Sequence, residues 1–277
     1  MTSRKIGVCT WSIDRHDVLR GIDVAGNDLQ LSVAQIGFFT EAAVRWADPQ
    51  TIMASADSAG VELIGSFVAF EGEDYSSIDA ISRTGGFSPD GEYASRRVIS
   101  LAVAKITREI GCHSVAIHAG TIPPETESPL YGKLVQRVGE VADALAEIGG
   151  MRLLLETGRE SAEVLLGFLE AVGRSNVGVN FDPANFLAFG ADEPTRALAL
   201  LADKVENVHM KDALRSRRPG IDYGKPAALG SGDTDIPRLV GMLGDRGYDG
   251  PLLIECSGRD NLEAIRNAAA YLWTLCA

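Results

Sequence analysis

The chain has 277 residues, 45% of them apolar and 23% charged, with 26 Lys and Arg against 38 Asp and Glu. That composition excludes disorder as the main state and is enough for one large buried core or two small ones. The net charge of −12 excludes non-specific binding to nucleic acid or anionic membranes, which repel such a surface. No apolar run approaches the roughly 18 residues of a membrane span. The start, MTSRKIGVCTW, lacks the apolar segment of a secretory signal. Cys9, Cys112, Cys256 and Cys276 are scattered without a C-x-x-C pair, so reduced thiols in a cytoplasm are expected.

Short apolar runs alternate with longer amphipathic stretches. The first run, 6–11, precedes a short helical piece at 18–24, and the second, 31–36, precedes a helix at 48–59. The third, 61–70, leads through a polar Gly-rich loop at 71–91 to a helix at 93–110. The fourth, 114–120, precedes a helix at 130–148, and the fifth, 152–157, a helix at 161–172. The sixth, 177–182, opens a helical stretch ending near Ala202. The seventh, 205–212, is followed by a long loop and a helix at 236–246, and the eighth, 251–258, by a closing helix at 262–275. Eight such units average roughly 35 residues each, the size of a βαβ unit. The pattern predicts an α/β fold, a closed (β/α)8 TIM barrel forming a single domain over residues 1–277. A dinucleotide-binding sheet would need G-x-G-x-x-G where the first run passes into TWSIDRHD. Neither a P-loop nor a G-x-S-x-G elbow occurs.

Active sites of such barrels lie at the C-terminal ends of the strands. The fifth to eighth runs end in Glu156, Asp182, His209 and Glu255. Taken singly, an acidic strand end is a solvated loop residue or a helix cap, and Asp182 before Pro183 reads well as an N-cap. Four metal-capable side chains on four successive strands read instead as one divalent metal site. Three carboxylates and an imidazole suit Mn²⁺ or Mg²⁺, with Co²⁺, Fe²⁺ or Zn²⁺ also accommodated. Side-chain alternation puts Asn180 on the face of Asp182 and Asn207 on that of His209, where both amides would orient the ligands from behind. Glu160, with Arg159, supports the site in the same way or begins the next helix. His118, Lys211 and Trp11 stand at or just past strand ends and are candidates to touch a substrate. The loop at 213–234 carries Arg215, Arg217, Arg218 and Lys225, either to close on an anionic substrate or as solvated surface.

The stretches LLLETGRE, VGVNFDPANF, VHMKDA, LGSGDTDIPRLVGMLGDRGYDG and PLLIECSG cover most of residues 152–258. They resemble the sugar phosphate isomerase/epimerase superfamily, the xylose isomerase-like TIM barrels; the first 110 residues match mainly in rhythm. In ketose 3-epimerases of that superfamily a Glu, Asp, His, Glu series on strands five to eight holds a divalent metal, and the two glutamates act as acid and base. The resemblance implies these roles for Glu156, Asp182, His209 and Glu255. The position three past the sixth-strand Asp, a His in those epimerases, is Asn185 here. Its amide can bond a substrate hydroxyl but cannot change charge near neutral pH. The ETGRE and HMKD stretches also depart from that subgroup. Apurinic-site endonucleases share the fold, but the scarcity of histidine and the acidic charge argue against them. The expectation is a metal-dependent sugar isomerase or epimerase that removes a proton next to a metal-bound carbonyl, through an enediolate, from a small sugar or keto-sugar. The alternatives are a lyase or dehydratase of the same fold acting on a keto-sugar or inosose, and a non-catalytic sugar-binding protein. A homo-oligomer is left open.

Overall fold

The structure, a computed structural model, describes residues 4–256 and 262–276. The apolar runs become strands with both faces covered, so they are apolar throughout rather than alternating. Every residue is buried in β1 (Ile6–Cys9) and β2 (Val33–Phe38). The next four are β3 (Glu62–Val68), β4 (Ser114–Ile117), β5 (Arg152–Glu156) and β6 (Val177–Phe181). Then come β7 (Val205–Met210), the short β8 (Asp212–Leu214) and β9 (Lys225–Ala227), and finally β10 (Leu252–Ile254). Eight of them close a parallel barrel in the order β1-β10-β7-β6-β5-β4-β3-β2, while β8 and β9 form a separate antiparallel hairpin. The fold is thus the predicted (β/α)8 barrel in a single domain.

Helices pack around the ring, their boundaries set by local chemistry. The helix α1 (Val18–Asp23) is capped by Asp17 and runs on into a π-helical turn, Val24–Asp28. Next are α2 (Glu41–Trp46) and α3 (Pro49–Ala59). The α3 helix has Asp48 as N-cap, Pro49 in its first turn and Gly60 in the left-handed region at its end. They are followed by α4 (Ile78–Thr84), α5 (Tyr93–Glu109), α6 (Pro129–Glu147) and α7 (Ala162–Val172). In α6, Leu134, Val138, Val141, Ala142 and Leu145 are buried, the stripe of a helix lying on a sheet. The chain ends with α8 (Pro183–Phe189), α9 (Pro194–Leu201), α10 (Ile236–Asp245) and α11 (Leu262–Cys276). Among the described residues no helix is long and apolar enough to cross a membrane.

The main core lies between strands and helices, and two smaller apolar clusters fill the barrel interior. Leu154 and Leu253, two residues before Glu156 and Glu255, belong to the interior clusters. The strand-end carboxylates therefore rise from inward-facing rows.

The structure corrects several boundaries. The strand expected at 6–11 stops at Cys9, and Trp11 stands in a 3-10 turn. The stretch read as loop at 71–91 contains α4, capped by Ser77, and α2 lies where no helix was expected. Both are too short for a 3.6-residue period to emerge from sequence. The helical stretch after Asp182 is two helices, divided at Gly190 with φ +69°. The seventh run divides at Lys211 between β7 and the hairpin. Of the eighth run, 257–258 lie outside the described residues.

Candidate metal centre and substrate cavity

Glu156 ends β5, Asp182 follows β6, His209 lies in β7 and Glu255 follows β10. One ligand atom from each falls within 4.8 Å of all the others. Parallel register brings this about: Glu156 pairs with Asn180, Asn180 with Asn207, and His209 with Leu253. The four side chains so gather at the C-terminal mouth of the ring.

The Asp182 carboxylate serves two purposes. Its Oδ1 accepts from the Ala184 and Asn185 amides at 2.9 and 3.3 Å, capping α8. Its Oδ2 is buried and, among the described residues, has no hydrogen-bond donor; Lys211 Nζ forms an ion pair with it at 3.4 Å. An orphaned carboxylate oxygen inside a protein costs about 1–3 kcal/mol or more. The Lys211 ammonium does not donate to it, so the oxygen is free to bind a metal ion directly, and the other three donors stand where they would complete the site. The N-cap and ligand readings of Asp182 are compatible because each uses a different oxygen.

The two glutamates are held differently. Glu156 Oε2 accepts from His118 Nε2 at 2.6 Å, and Oε1 lies 2.8 Å from His209 Nδ1 and accepts from Asn180 Nδ2 at 3.2 Å. Glu255 Oε1 accepts from Lys211 Nζ at 2.6 Å, and Oε2 lies 3.0 Å from His209 Nδ1. Burial works against the charge of both, but His118 and His209 hold Glu156, and Lys211 and His209 hold Glu255, well below the usual carboxylate range. Asp182 goes the other way. Burial raises it, Lys211 opposes, and the neighbouring charges of Glu255 and Glu156 raise it further. His209, although burial disfavours its cation, is held well above the usual imidazole range by Cys9, Glu156 and Glu255. Its Nδ1 faces two acceptor oxygens, so either a proton or a metal ion must neutralise that edge.

A cavity of about 410 Å³ opens onto this cluster. Phe39 and Phe67, from the β2 and β3 side, line it opposite Phe189 and Tyr223 from the β6 and β7 side, for these strands stand four places apart in the ring. Trp11 joins the first wall, its ring 5.7 Å from Phe39, 5.1 Å from Phe67 and 5.6 Å from His209.

A sequence model of the xylose isomerase-like TIM barrel family matches residues 34–274. The chain belongs to this family. Among solved structures, a xylose isomerase domain protein from Planctomyces limnophilus is 32% identical, covers 99% of this chain and 97% of its own, and superposes with a TM-score of 0.92. A D-allulose 3-epimerase from Methylomonas sp. is 15% identical with a TM-score of 0.73, covering 99% and 98% of the two chains. A probable 3-DHS dehydratase, AsbF, from Bacillus anthracis is also 15% identical, with a TM-score of 0.71 over 97% and 98%. The last two share the fold. No curated protein matches.

Within this xylose isomerase-like barrel the remaining sequence candidates fall into three groups. Lys211, His118, Asn185 and Trp11 all line the cavity. Lys211 turns to Glu255 and Asp182 rather than to its neighbour Asp212. His118 spends its Nε2 on Glu156. Asn185 donates to the Thr157 carbonyl at 3.2 Å. It packs so close to Gly158 (φ +124°) that a Cβ there would lie 2.1 Å from the Asn185 Cβ, which is why glycine follows the strand-end motif. Asn180 and Asn207 face inward behind the cluster; Asn180 bonds Glu156 directly, whereas Asn207 donates to Asn180 Oδ1 at 2.6 Å.

Glu160 is a correction. It makes no hydrogen bond to the cluster among the described residues, because it is already past the rim; it lines a second cavity of about 450 Å³ with Thr121, Ile122 and Arg159. Burial pushes its carboxyl up to about 8, despite Arg159 and the Ile122 amide. The folded protein therefore keeps this proton where the unfolded chain has lost it. Stability is full below pH 4.5 and falls as pH rises toward 8. Glu160→Gln is expected to leave the melting temperature at pH 5 nearly unchanged and to raise stability at pH 9 by on the order of a few kcal/mol. Thermal melts at the two pH values check this, and equal effects at both would contradict it.

The basic loop is surface. Arg215 pairs with Glu193 and Arg218 with Asp222, and Arg217 and Lys225 are exposed. The hairpin instead contributes Tyr223, Gly224 and Pro226 to the cavity. Asp212 anchors it: its carboxylate accepts from the Ala213, Gly230 and Gly232 amides, each at 2.9 Å, and from Thr234. Sequence reasoning missed this anchor, and it missed Gln35, whose Oε1 meets His209 Nε2 at 2.7 Å. The available signal was a lone amide inside the apolar run LSVAQI.

Proposed function

We propose that the chain is a divalent-metal-dependent isomerase or epimerase of sugars or keto-sugars, acting by removal of a proton from a carbon beside the substrate carbonyl. The observation that carries this reading is the meeting of Glu156, Asp182, His209 and Glu255 around the orphaned Asp182 Oδ2 at the foot of the cavity. These four would hold the ion, with Mn²⁺ or Mg²⁺ matching their hard oxygen character best. The bound ion supplies Lewis acidity, worth several kcal/mol against charge developing on the substrate oxygens.

The chain's own groups do the rest. Glu255, kept ionised beside Lys211, takes the proton. Lys211 Nζ, 2.6 Å from Glu255, offers its charge to the oxygen that becomes negative. Glu156 approaches from the strand three places away and relays to the opposite face a proton handed to it by His118, whose Nε2 donates to its other oxygen; the proton taken by Glu255 and the one delivered by Glu156 balance, and a carbon is inverted. An isomerisation within one face needs only one glutamate. Trp11 stacks on the apolar face of the sugar, and His118 and Asn185 bond its hydroxyls. The likeness to a D-allulose 3-epimerase supports this choice of reaction class. The four cysteines, unpaired among the described residues, suit a cytoplasmic setting.

A metal-dependent lyase is the second reading, favoured by the likeness to a probable 3-DHS dehydratase and by His118, which lines the cavity and can pass a proton to a departing hydroxyl. Incubation of the Mn²⁺-loaded protein in D₂O with ketoses, keto-glycosides and inososes separates the two. Deuterium beside the carbonyl in an epimer or isomer is expected; loss of water would favour the lyase. Absence of any divalent metal after reconstitution would favour a sugar-binding protein without catalysis.

A further inference from the structure

Gln35 lies in β2 and is 1% exposed. Its Nε2 donates to the Ser66 carbonyl at 3.3 Å, an oxygen that can only accept. The amide is thereby oriented, and Oε1 must face the barrel interior. Two groups meet that oxygen there: Asn207 Nδ2 at 3.4 Å and His209 Nε2 at 2.7 Å. Since an amide oxygen cannot donate, the hydrogen of that contact resides on His209 Nε2. The neighbouring amides agree in sense. Asn207 donates to Asn180 Oδ1 at 2.6 Å, and Asn180 donates to Glu156 Oε1 at 3.2 Å. Asn180 Nδ2 approaches the two ring nitrogens at 3.2 and 3.3 Å and so does not choose between them. On the far edge of the ring, Nδ1 looks onto Glu156 Oε1 at 2.8 Å and Glu255 Oε2 at 3.0 Å.

We propose that Gln35 is a positioning residue of the metal centre: its carbonyl oxygen keeps the hydrogen of His209 on Nε2 and so turns the Nδ1 lone pair toward Glu156, Asp182 and Glu255. This rests on the reading above in which His209 is a ligand. Groups behind a ligating imidazole fix its tautomer and orientation. An amide does this without adding another negative charge to an interior that already holds three carboxylates.

The test uses the full-length protein, wild type and Gln35→Met, which keeps the length of the side chain but removes its strong acceptor. Mn²⁺ affinity is measured by titration, and the His209 tautomer is read by long-range ¹H–¹⁵N correlation in the Mg²⁺-saturated protein. The wild type is expected to carry its proton on Nε2, and Gln35→Met to bind Mn²⁺ about 10–100-fold more weakly. Affinity unchanged in a folded Gln35→Met protein, or a wild-type proton on Nδ1, would overturn the role of Gln35 while leaving the metal reading intact. Failure of the wild type to bind either ion would overturn both. If Gln35→Met does not fold, the wild-type tautomer alone decides.

Discussion

Glu255→Gln is expected to abolish deuterium incorporation beside the substrate carbonyl, a fall of at least about 10²–10⁴-fold, the usual contribution of a positioned base. Glutamine keeps the volume and can still accept from Lys211, but it cannot take a proton. Both glutamates line the cavity, but Glu255 is the stronger candidate base because its side chain is 14% exposed, against 3% for Glu156. Three groups, His118, His209 and Asn180, hold the Glu156 oxygens, against two, Lys211 and His209, at Glu255. Exchange is measured at saturating Mn²⁺, with the affinity determined separately, so that weakened metal binding is not mistaken for lost chemistry. Exchange within tenfold of wild type at saturation would move the base to Glu156.

Asp182→Asn should act in opposite directions with and without metal. Asparagine still presents an oxygen to cap α8, but it replaces the carboxylate oxygen left without a donor. In the metal-free wild type the raised pKa of Asp182 means stability is full below pH 3.8 and is lost as pH rises toward about 7. The variant escapes that loss and is expected to melt higher than the metal-free wild type at pH 8. Metal then reverses the order. An ion at 100 times its Kd adds about 2.7 kcal/mol, roughly 5–11 °C for a chain of this size. This gain should appear in wild type and be nearly absent in Asp182→Asn. Melting curves with EDTA and with Mn²⁺ give both numbers; an undiminished metal shift in the variant would remove Asp182 from the ligand set.

The barrel was legible because strands covered on both faces must be apolar throughout, and long helices such as α5 and α6 must carry a 3.6-residue stripe. Elements of six or seven residues, α2 and α4, held by caps and tertiary packing, leave no such trace. The gathering of the four candidate ligands was legible for a related reason: strand ends are marked by the switch from apolar run to loop, so Glu156, Asp182, His209 and Glu255 announced themselves by position. Asn180 and Asn207 followed from alternation. Glu160 misled because a loop residue four positions beyond a strand end has no fixed direction. Gln35 was invisible as a partner of His209, since the two are 174 residues apart and only closure of the ring between β1 and β10 brings the strands that carry them to bear on one interior. Asp212 likewise declares its purpose only once residues 230–234 have returned to it.

That carboxylate has a mechanical corollary. By gathering amides from both roots of the 213–234 excursion, Asp212 staples its base shut. Any widening of the entrance must come from bending farther out, toward Tyr223, because Pro226, which also lines the cavity, pairs with Ala213 beside the staple. The outer hairpin and the cluster beneath it can then vary separately: the arm can lengthen or change its tip without disturbing Lys211, one residue before the staple.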